Sequence, residues 1–285
     1  MANTWELEIA ERQRFQFGKN WQRFLLNVGE AQIRDAEASL PKMLDLPSLA
    51  GLSFLDIGSG SGIFSLAAMR LGARRVHSFD FDPDSVACAR ELKGRFYPQE
   101  EGWVIERGNA LDADYLRGLG QWDVVYSWGV LHHTGSMWQA LENVAGNVAK
   151  GGYLFISLYN DQGTLSSFWK RVKMFYNRGP VARFLMLLWY VPVFICGSFI
   201  SDLLHLRNPL RRYLNAGRGM SIVYDWLDWL GGYPFEVAKP ADVISFYERR
   251  GFVLTRLGAV GGRSACNEFV FRRSPEEEFS DGRKS

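Results

Sequence analysis

From residue 53 onward the chain alternates short apolar runs with longer segments whose apolar residues recur at helical intervals. The runs SFLDI, RVHSFD, WVIERG, WDVVYSW and YLFISLY predict buried strands. The segments IFSLAAMRLGA, PDSVACARELKGRF and MWQALENVAGNVAK predict the helices between them. Such alternation implies a parallel sheet with helices on both faces, an α/β doubly wound fold. Gly151 and Gly152 fall where the third helix must stop before the fifth strand. Asp82, directly before Pro83, predicts a capped helix start.

Upstream, GEAQIRDAEASLPKML sets Ile33, Ala36, Leu40 and Leu44 at helical spacing, with Pro41 counting against a single uninterrupted helix. Downstream of Tyr159 the alternation breaks, then resumes as one helix (KPADVISFYERRGF) and two strands, VLTRLG and NEFVFRR, joined by a Gly-rich turn. That pair predicts an antiparallel hairpin. The organisation is a helical cap over 1–50, a core over 51–160 and 236–273, an insertion over 161–235 and a frayed tail over 274–285.

Composition changes little. Apolar residues at 47% suffice for a core, and a formal charge of +2 implies no whole-chain attraction to nucleic acid. Cys88, Cys196 and Cys266 lack metal or disulfide spacing and fit a reducing compartment. The first residues mix acids, bases and single hydrophobes, unlike a secretory signal, so a cytoplasmic location is expected, with membrane-peripheral contact left open by the insertion.

The candidate chemistry begins at FLDIGSGSGIF, where Gly58, Gly60 and Gly62 alternate with small residues, Ser59 among them, between the first strand and its helix. In doubly wound sheets ligands bind at this edge, where glycines permit close approach and helix amides point outward. A dinucleotide fingerprint needs a third glycine where Ile63 stands, and a Walker loop needs a following Gly-Lys-Ser/Thr; neither is present. The loop instead resembles motif I of the class I S-adenosylmethionine (SAM) methyltransferases, and four further stretches agree: VHSFDFD, GNA, WDVVYSWGVLHH and VAKGGYLFISLY. The likeness covers residues 53–159 and 239–272 and is looser toward the ubiquinone/menaquinone-type methylases, where it rests on GVLHHT and the apolar insertion.

The resemblance implies a Rossmann-like seven-stranded sheet of order 3-2-1-4-5-7-6 with strand 7 antiparallel, and SAM as donor with S-adenosylhomocysteine as product. It implies that Asp80 takes the two ribose hydroxyls and that Phe81 lies against the adenine. Asn109 and Ala110 fall at the adenine edge, Asn109 replacing the family's acid while keeping an acceptor carbonyl. Ser127 and Trp128 are candidates to border the methionine part, Trp128 alternatively covering the sulfonium by cation–π contact, with plain core packing an equal reading for it. Asp56 has two compatible readings, organising the methionine end or stabilising the glycine turn.

Methyl transfer is an in-line displacement that depends on alignment, and an oxygen or nitrogen acceptor must also lose a proton. His132 and His133 follow the fourth strand at the mouth of the site and are the candidate bases, a capping or lining role being the plainer reading. Neighbours on a helix diverge by about 100°, so one of the two is expected to face the pocket. No metal is expected, since Asp80, Asp82 and Asp84 are better used on ribose and helix capping. A nucleic-acid acceptor is disfavoured because the fourth strand lacks Asn/Asp-Pro-Pro-Tyr/Phe.

The insertion is the least ordinary feature. Residues 165–220 hold nine Lys or Arg (170, 171, 173, 178, 183, 207, 211, 212 and 218) against one acid, Asp202. FLMLLWYVPVFICGSFI (184–200) is uncharged and apolar on all sides, so it must be buried somewhere. A lid over an apolar substrate pocket is the preferred reading, followed by a monotopic element on anionic headgroups and then by a true span. Tyr233 and Glu236 are placed near substrate by connectivity, and Phe17 and Trp21 are candidates to close over the donor, packing being the plainer reading.

The resulting expectation is a methyltransferase acting on a small aromatic or lipophilic acceptor, with O-methylation favoured. The alternatives are C- or N-methylation of a quinone or natural-product type substrate, a nicotinamide oxidoreductase, and a non-catalytic SAM-fold module that docks on membranes.

Overall fold

The computed structural model describes residues 11, 14–26, 28–204, 229–261 and 265–275. Calls on the first ten residues, on Arg207, Arg211, Arg212 and Arg218, and on the tail beyond 275 lie outside them. The strands are β1 (Ser53–Ile57), β2 (Arg75–Asp80), β3 (Trp103–Arg107), β4 (Trp122–Trp128), β5 (Val148–Tyr159), β6 (Phe252–Gly258) and β7 (Cys266–Arg273). They form one sheet of order β3-β2-β1-β4-β5-β7-β6, parallel except for β7, which runs antiparallel to both neighbours.

Side chains alternate across this sheet. Leu55, Ile57, Val125, Leu154 and Ile156 join one core cluster with α5 (Ala113–Leu119), α6 (Met137–Ala145) and α9 (Pro240–Glu248). Phe54, Val76, Val124 and Tyr126 join the opposite one with α2 (Glu30–Leu44), α3 (Ile63–Arg70) and α4 (Pro83–Phe96). Ile33, Ala36, Leu40 and Leu44 are all buried on α2, which runs through Pro41. Because Pro41 lies in the last turn, its missing N–H affects only the helix end.

Two expectations fail locally. The helix expected over 137–150 stops at Ala145, and β5 starts at Val148, so Gly151 and Gly152 lie inside the strand. Asn147 turns the chain there, its amide donating to the carbonyls of Leu116 and Gly120. The β4–β5 register then shifts between Trp122 and Val124, and a Cβ at Gly152 would stand 2.9 Å from the Asp123 carbonyl oxygen. The glycines accommodate this bulge rather than ending a helix.

The insertion folds into a hairpin of α7 (Thr164–Tyr176) and α8 (Pro180–Leu204). Val172, Tyr176, Tyr190 and Leu230 form its own small core, with Phe15, Trp169 and Trp229 against it. The protein itself covers little of the apolar run: only 11% of the window 180–197 is buried, and that helix is long and apolar enough to cross a membrane.

Beside the insertion a strap, residues 14–26, carries α1 (Gly18–Leu25) across the C-terminal edge of the sheet. The Gly18 amide donates to the Asp82 carboxylate at 2.8 Å, and the Phe15 amide donates to the Tyr233 carbonyl.

Candidate functional site

The glycine loop leaves β1 with Gly58 at φ +74° and Gly60 at φ +54°. A Cβ on Gly58 would lie 2.4 Å from a Val130 methyl, and one on Gly60 would lie 2.9 Å from the Trp21 indole. Close approach, not outward-pointing amides, is therefore what these glycines provide. The Gly58 and Ser59 amides donate to the Phe79 carbonyl, and the Gly60 amide donates to Asp80 Oδ2 at 2.9 Å. Ser59 Oγ is buried without a hydrogen-bond partner, a polar atom awaiting one.

Asp80 ends β2, part-buried, and accepts a second amide, that of Asp82, at 2.9 Å. Burial pushes its pKa up to about 6 against the opposing pull of these amides. A carboxylate offers about four acceptor positions, so two remain for a pair of hydroxyls. Phe81 faces the guanidinium of Arg14 at 5.0 Å and that of Arg107 at 5.6 Å. Asn109 turns its side-chain carbonyl onto the Leu111 amide at 2.9 Å, so the acceptor expected for an adenine amino group is already engaged; Ala110 beside it is buried.

Asp56 points away from this mouth. It accepts from Ser65 Oγ on α3, which is joined to Ser78 Oγ at 2.6 Å and onward to the Trp103 indole N–H at 2.8 Å. Since Ser65 donates to Asp56, Ser78 donates to Ser65 and receives from Trp103. Burial raises the Asp56 pKa to about 7, the Ser65 bond opposing and the Asp80 charge adding. These contacts tie the end of β1 to α3 and β2. Ser127 is likewise committed, donating to the Ile57 carbonyl, and the Trp128 indole donates to Glu268 at 2.7 Å. Asp82 caps α4 by accepting from the Asp84 amide.

His132 and His133 lie together in a 3-10 turn, Leu131–His133, and both are buried. Their rings are 4.4 Å apart, and Tyr159 packs on both. A 3-10 turn steps neighbours by about 120°, and the two rings share one aromatic surround in which Tyr159 packs on both and Phe17 on His133. His133 Nδ1 lies 2.6 Å from the Pro234 carbonyl, which can only accept, so Nδ1 carries the proton and Nε2 the lone pair. Burial lowers its pKa to about 3, with Lys173 and Arg14 adding and the Pro234 bond opposing. The His132 pKa is likewise lowered well below the ordinary imidazole value by burial, with the nearby His133 and Lys173 adding. Neither of its nitrogens meets hydrogen-bond geometry, although the Ser157 backbone lies near enough to oppose the shift.

The segment after the insertion does return here. The Glu236 amide donates to the His132 carbonyl, and its carboxylate accepts the Met137 amide at the start of α6. Its pKa is raised by burial, with the Met137 and Gly135 amides opposing. Tyr233 holds the strap through its carbonyl. Sequence reasoning missed Lys173. Its Nζ lies 4.2 Å from the Trp229 ring and 4.9 Å from the Phe235 ring, donates to the Trp229 carbonyl, and the residue is fully buried. The signal was its spacing with Trp169, Val172 and Tyr176, which places it on the inner face of α7. Arg14, which donates to the His133 carbonyl, gave no such signal.

Sheet order and glycine loop together define the class I methyltransferase fold. The chain belongs to the family whose model is described as a methyltransferase domain and which matches residues 15–212. It is 34% identical over 120 residues to a ribosomal protein L11 methyltransferase of Thiobacillus denitrificans, covering 41% of this chain and 35% of that protein. A shorter match, 62% over 37 residues, covers 13% of this chain and 12% of the L11 methyltransferase of Geobacter metallireducens. The chain thus spans about a third or less of the length of these curated relatives. Among solved structures it resembles magnesium protoporphyrin IX methyltransferase from Synechocystis PCC 6803 with bound SAH (16% identity, TM-score 0.52, covering 90% and 94% of the two chains). It also resembles an O-methyltransferase family protein from Burkholderia thailandensis (15%, TM-score 0.54, covering 87% and 59%). At these identities the structures share the fold.

Proposed function

We propose that the protein transfers a methyl group from SAM to oxygen on a small aromatic or lipophilic acceptor held beyond the ends of β4 and β5. The observation that carries the donor half is Asp80, tied to the Gly60 amide and left with acceptor positions for two hydroxyls. Bound SAM supplies an electrophilic methyl on a sulfonium. Around it the glycine loop excludes side chains, Asp80 takes the ribose and Phe81 covers the base. Ser59 contributes the hydroxyl that lacks a partner, while Ala110 and the Asn109 amide line the adenine edge. Ser127 and Trp128 flank the methionine part from β4, their own bonds to Ile57 and Glu268 holding them in place. Because Trp21 and Arg14 lie over Gly60 and Phe81, the strap shifts to admit the nucleoside.

Of the two histidines His133 is the base: its Nε2 lone pair is fixed by the Nδ1 bond to Pro234. A pKa near 3 keeps it neutral across the physiological range and makes it a weak base, which takes the hydroxyl proton only as the oxygen–methyl bond forms and the oxygen turns strongly acidic. The aromatic wall of Tyr159, Trp169, Trp229 and Phe235 supports an aromatic acceptor. Glu236 and Tyr233 organise this wall through the His132 turn and the strap.

A second reading, a protein acceptor, is favoured by the relatives named ribosomal protein L11 methyltransferase. Incubation with methyl-tritiated SAM and three acceptors separates these readings: a panel of phenols and quinols, a lipid extract, and ribosomal protein L11. Label in a phenolic ether supports the proposal, label on L11 supports the second reading, and label on a quinone ring carbon supports C-methylation. Donor binding without turnover on any of them leaves a non-catalytic module.

A further inference from the structure

Helix α8 has one fixed side and one bare side. Ala182 and Tyr190 are buried, and Met186 and Phe194 pack toward α7 and Leu230. On the opposite side Val181 is 72% exposed, Phe184 65%, Leu188 62% and Phe199 45%. No charged side chain occurs from Phe184 to Ser201, a run of about 27 Å at 1.5 Å per residue. From Thr164 to Ser201 every charged residue is a lysine or arginine, and Lys170, Arg171, Arg178 and Arg183 are exposed. At the turn between the helices an open hollow of about 310 Å³ combines Arg178 with Phe175, Pro180, Val181 and Leu185.

We propose that the α7–α8 hairpin docks on an anionic lipid bilayer, with α8 lying in the interface, its bare side among the acyl chains and the basic residues on the headgroup phosphates. An exposed apolar face this long on a soluble chain marks an interaction site. Three observations select the bilayer as the occupant. The charge at the rim is of one sign, which complements anionic headgroups and would repel a second copy of the same face. A hollow joining a guanidinium to apolar walls suits a phosphate above an acyl chain. The fixed side of α8 is held against α7 and Leu230, and the chain returns to the sheet through α9, so the helix lies on a membrane rather than across it. The inference is independent of the methyl-transfer reading.

Flotation of the full chain with phosphatidylcholine vesicles, with and without phosphatidylglycerol, tests it. The protein should float with the anionic vesicles, more than about tenfold better than with neutral ones, and less well at high salt. Phe184→Glu with Leu188→Glu should abolish flotation, and Lys170→Gln with Arg183→Gln should weaken it on anionic vesicles, with S-adenosylhomocysteine affinity and melting temperature unchanged. Should the glutamate variant fail to fold, the wild-type comparison of the two vesicles and the glutamine variant decide. Absence of flotation with either vesicle overturns the proposal. So does flotation indifferent to lipid charge, or a lipid-free dimer in sedimentation velocity that Leu188→Glu dissolves, which would give the face to a second copy.

Discussion

Replacing Asp80 by asparagine changes one proton-accepting group and little else in shape, so its effect on nucleoside affinity can be worked out in advance. The carboxylate accepts the Gly60 and Asp82 amides, each at 2.9 Å, and has two acceptor positions left. Hydrogen bonds to a charged group contribute about 1.5–3 kcal/mol each. An asparagine must turn its NH2 toward one amide or toward the ligand, losing at least one such bond. Affinity for S-adenosylhomocysteine should therefore fall roughly 30-fold, and for Asp80→Ala roughly 100-fold or more, at about 1.4 kcal/mol per tenfold. The pH dependence gives a second signature. With its pKa raised to about 6, Asp80 is charged and fully able to accept at pH 7.5. Below 6 it is mostly protonated, and affinity should drop about tenfold per pH unit. Calorimetric titration of wild type and Asp80→Asn between pH 5 and 7.5 reads both effects. Wild-type affinity in the variant, or the same pH slope in both proteins, would refute the reasoning.

Asp56→Asn should become more stable relative to wild type as pH rises from 4 to 8. The folded Asp56 pKa, raised to about 7, lies above its unfolded value, so wild type binds an extra proton in that window and loses that stability on giving it up. Urea melts of the pair should diverge by on the order of a few kcal/mol, and parallel profiles would contradict the burial of this charge. His133→Gln should lower turnover by about 10²–10⁴-fold with donor affinity unchanged. At saturating donor the wild-type rate should lack an acid limb near 6.5, because the imidazole stays neutral down to about pH 3. Gly58→Ala should lower the melting temperature and weaken donor binding. A left-handed φ of +74° costs a side chain about 1–2 kcal/mol, before the Cβ contact with Val130 at 2.4 Å is relieved. Differential scanning fluorimetry with and without S-adenosylhomocysteine measures both effects.

The sheet was legible because its strands are short apolar runs, those of β1 to β4 ended by a glycine or an acid, and the antiparallel β6–β7 pair by its Gly-rich turn. Asp82 announced itself through the proline after it. What stayed hidden depends on contacts distant in sequence. Nothing local to Arg14 indicates that it will reach His133, 119 residues away. Nothing in GNA shows that Asn109 will use its carbonyl on its own turn. Gly151 and Gly152 misled because glycine serves a helix stop and a strand bulge equally well. The run 184–200 left its partner open for a different reason: apolarity on all sides demands burial without saying whether a lid, a membrane surface or a span provides it, and α8 leaves one side bare within the protein. Both histidines were found by position, yet their enclosure by Tyr159 and Phe17 followed from the strap and the tight turn, not from the sequence around them.

The central claim, that a loop freed of side chains after β1 and the carboxylate at the end of β2 together hold the methyl donor, is tested most directly by a crystal structure with S-adenosylhomocysteine. The account predicts both ribose hydroxyls on Asp80, the base along Phe81 and the strap displaced from Gly60. A nucleoside bound elsewhere, or in this cleft with its ribose turned away from Asp80, would contradict it.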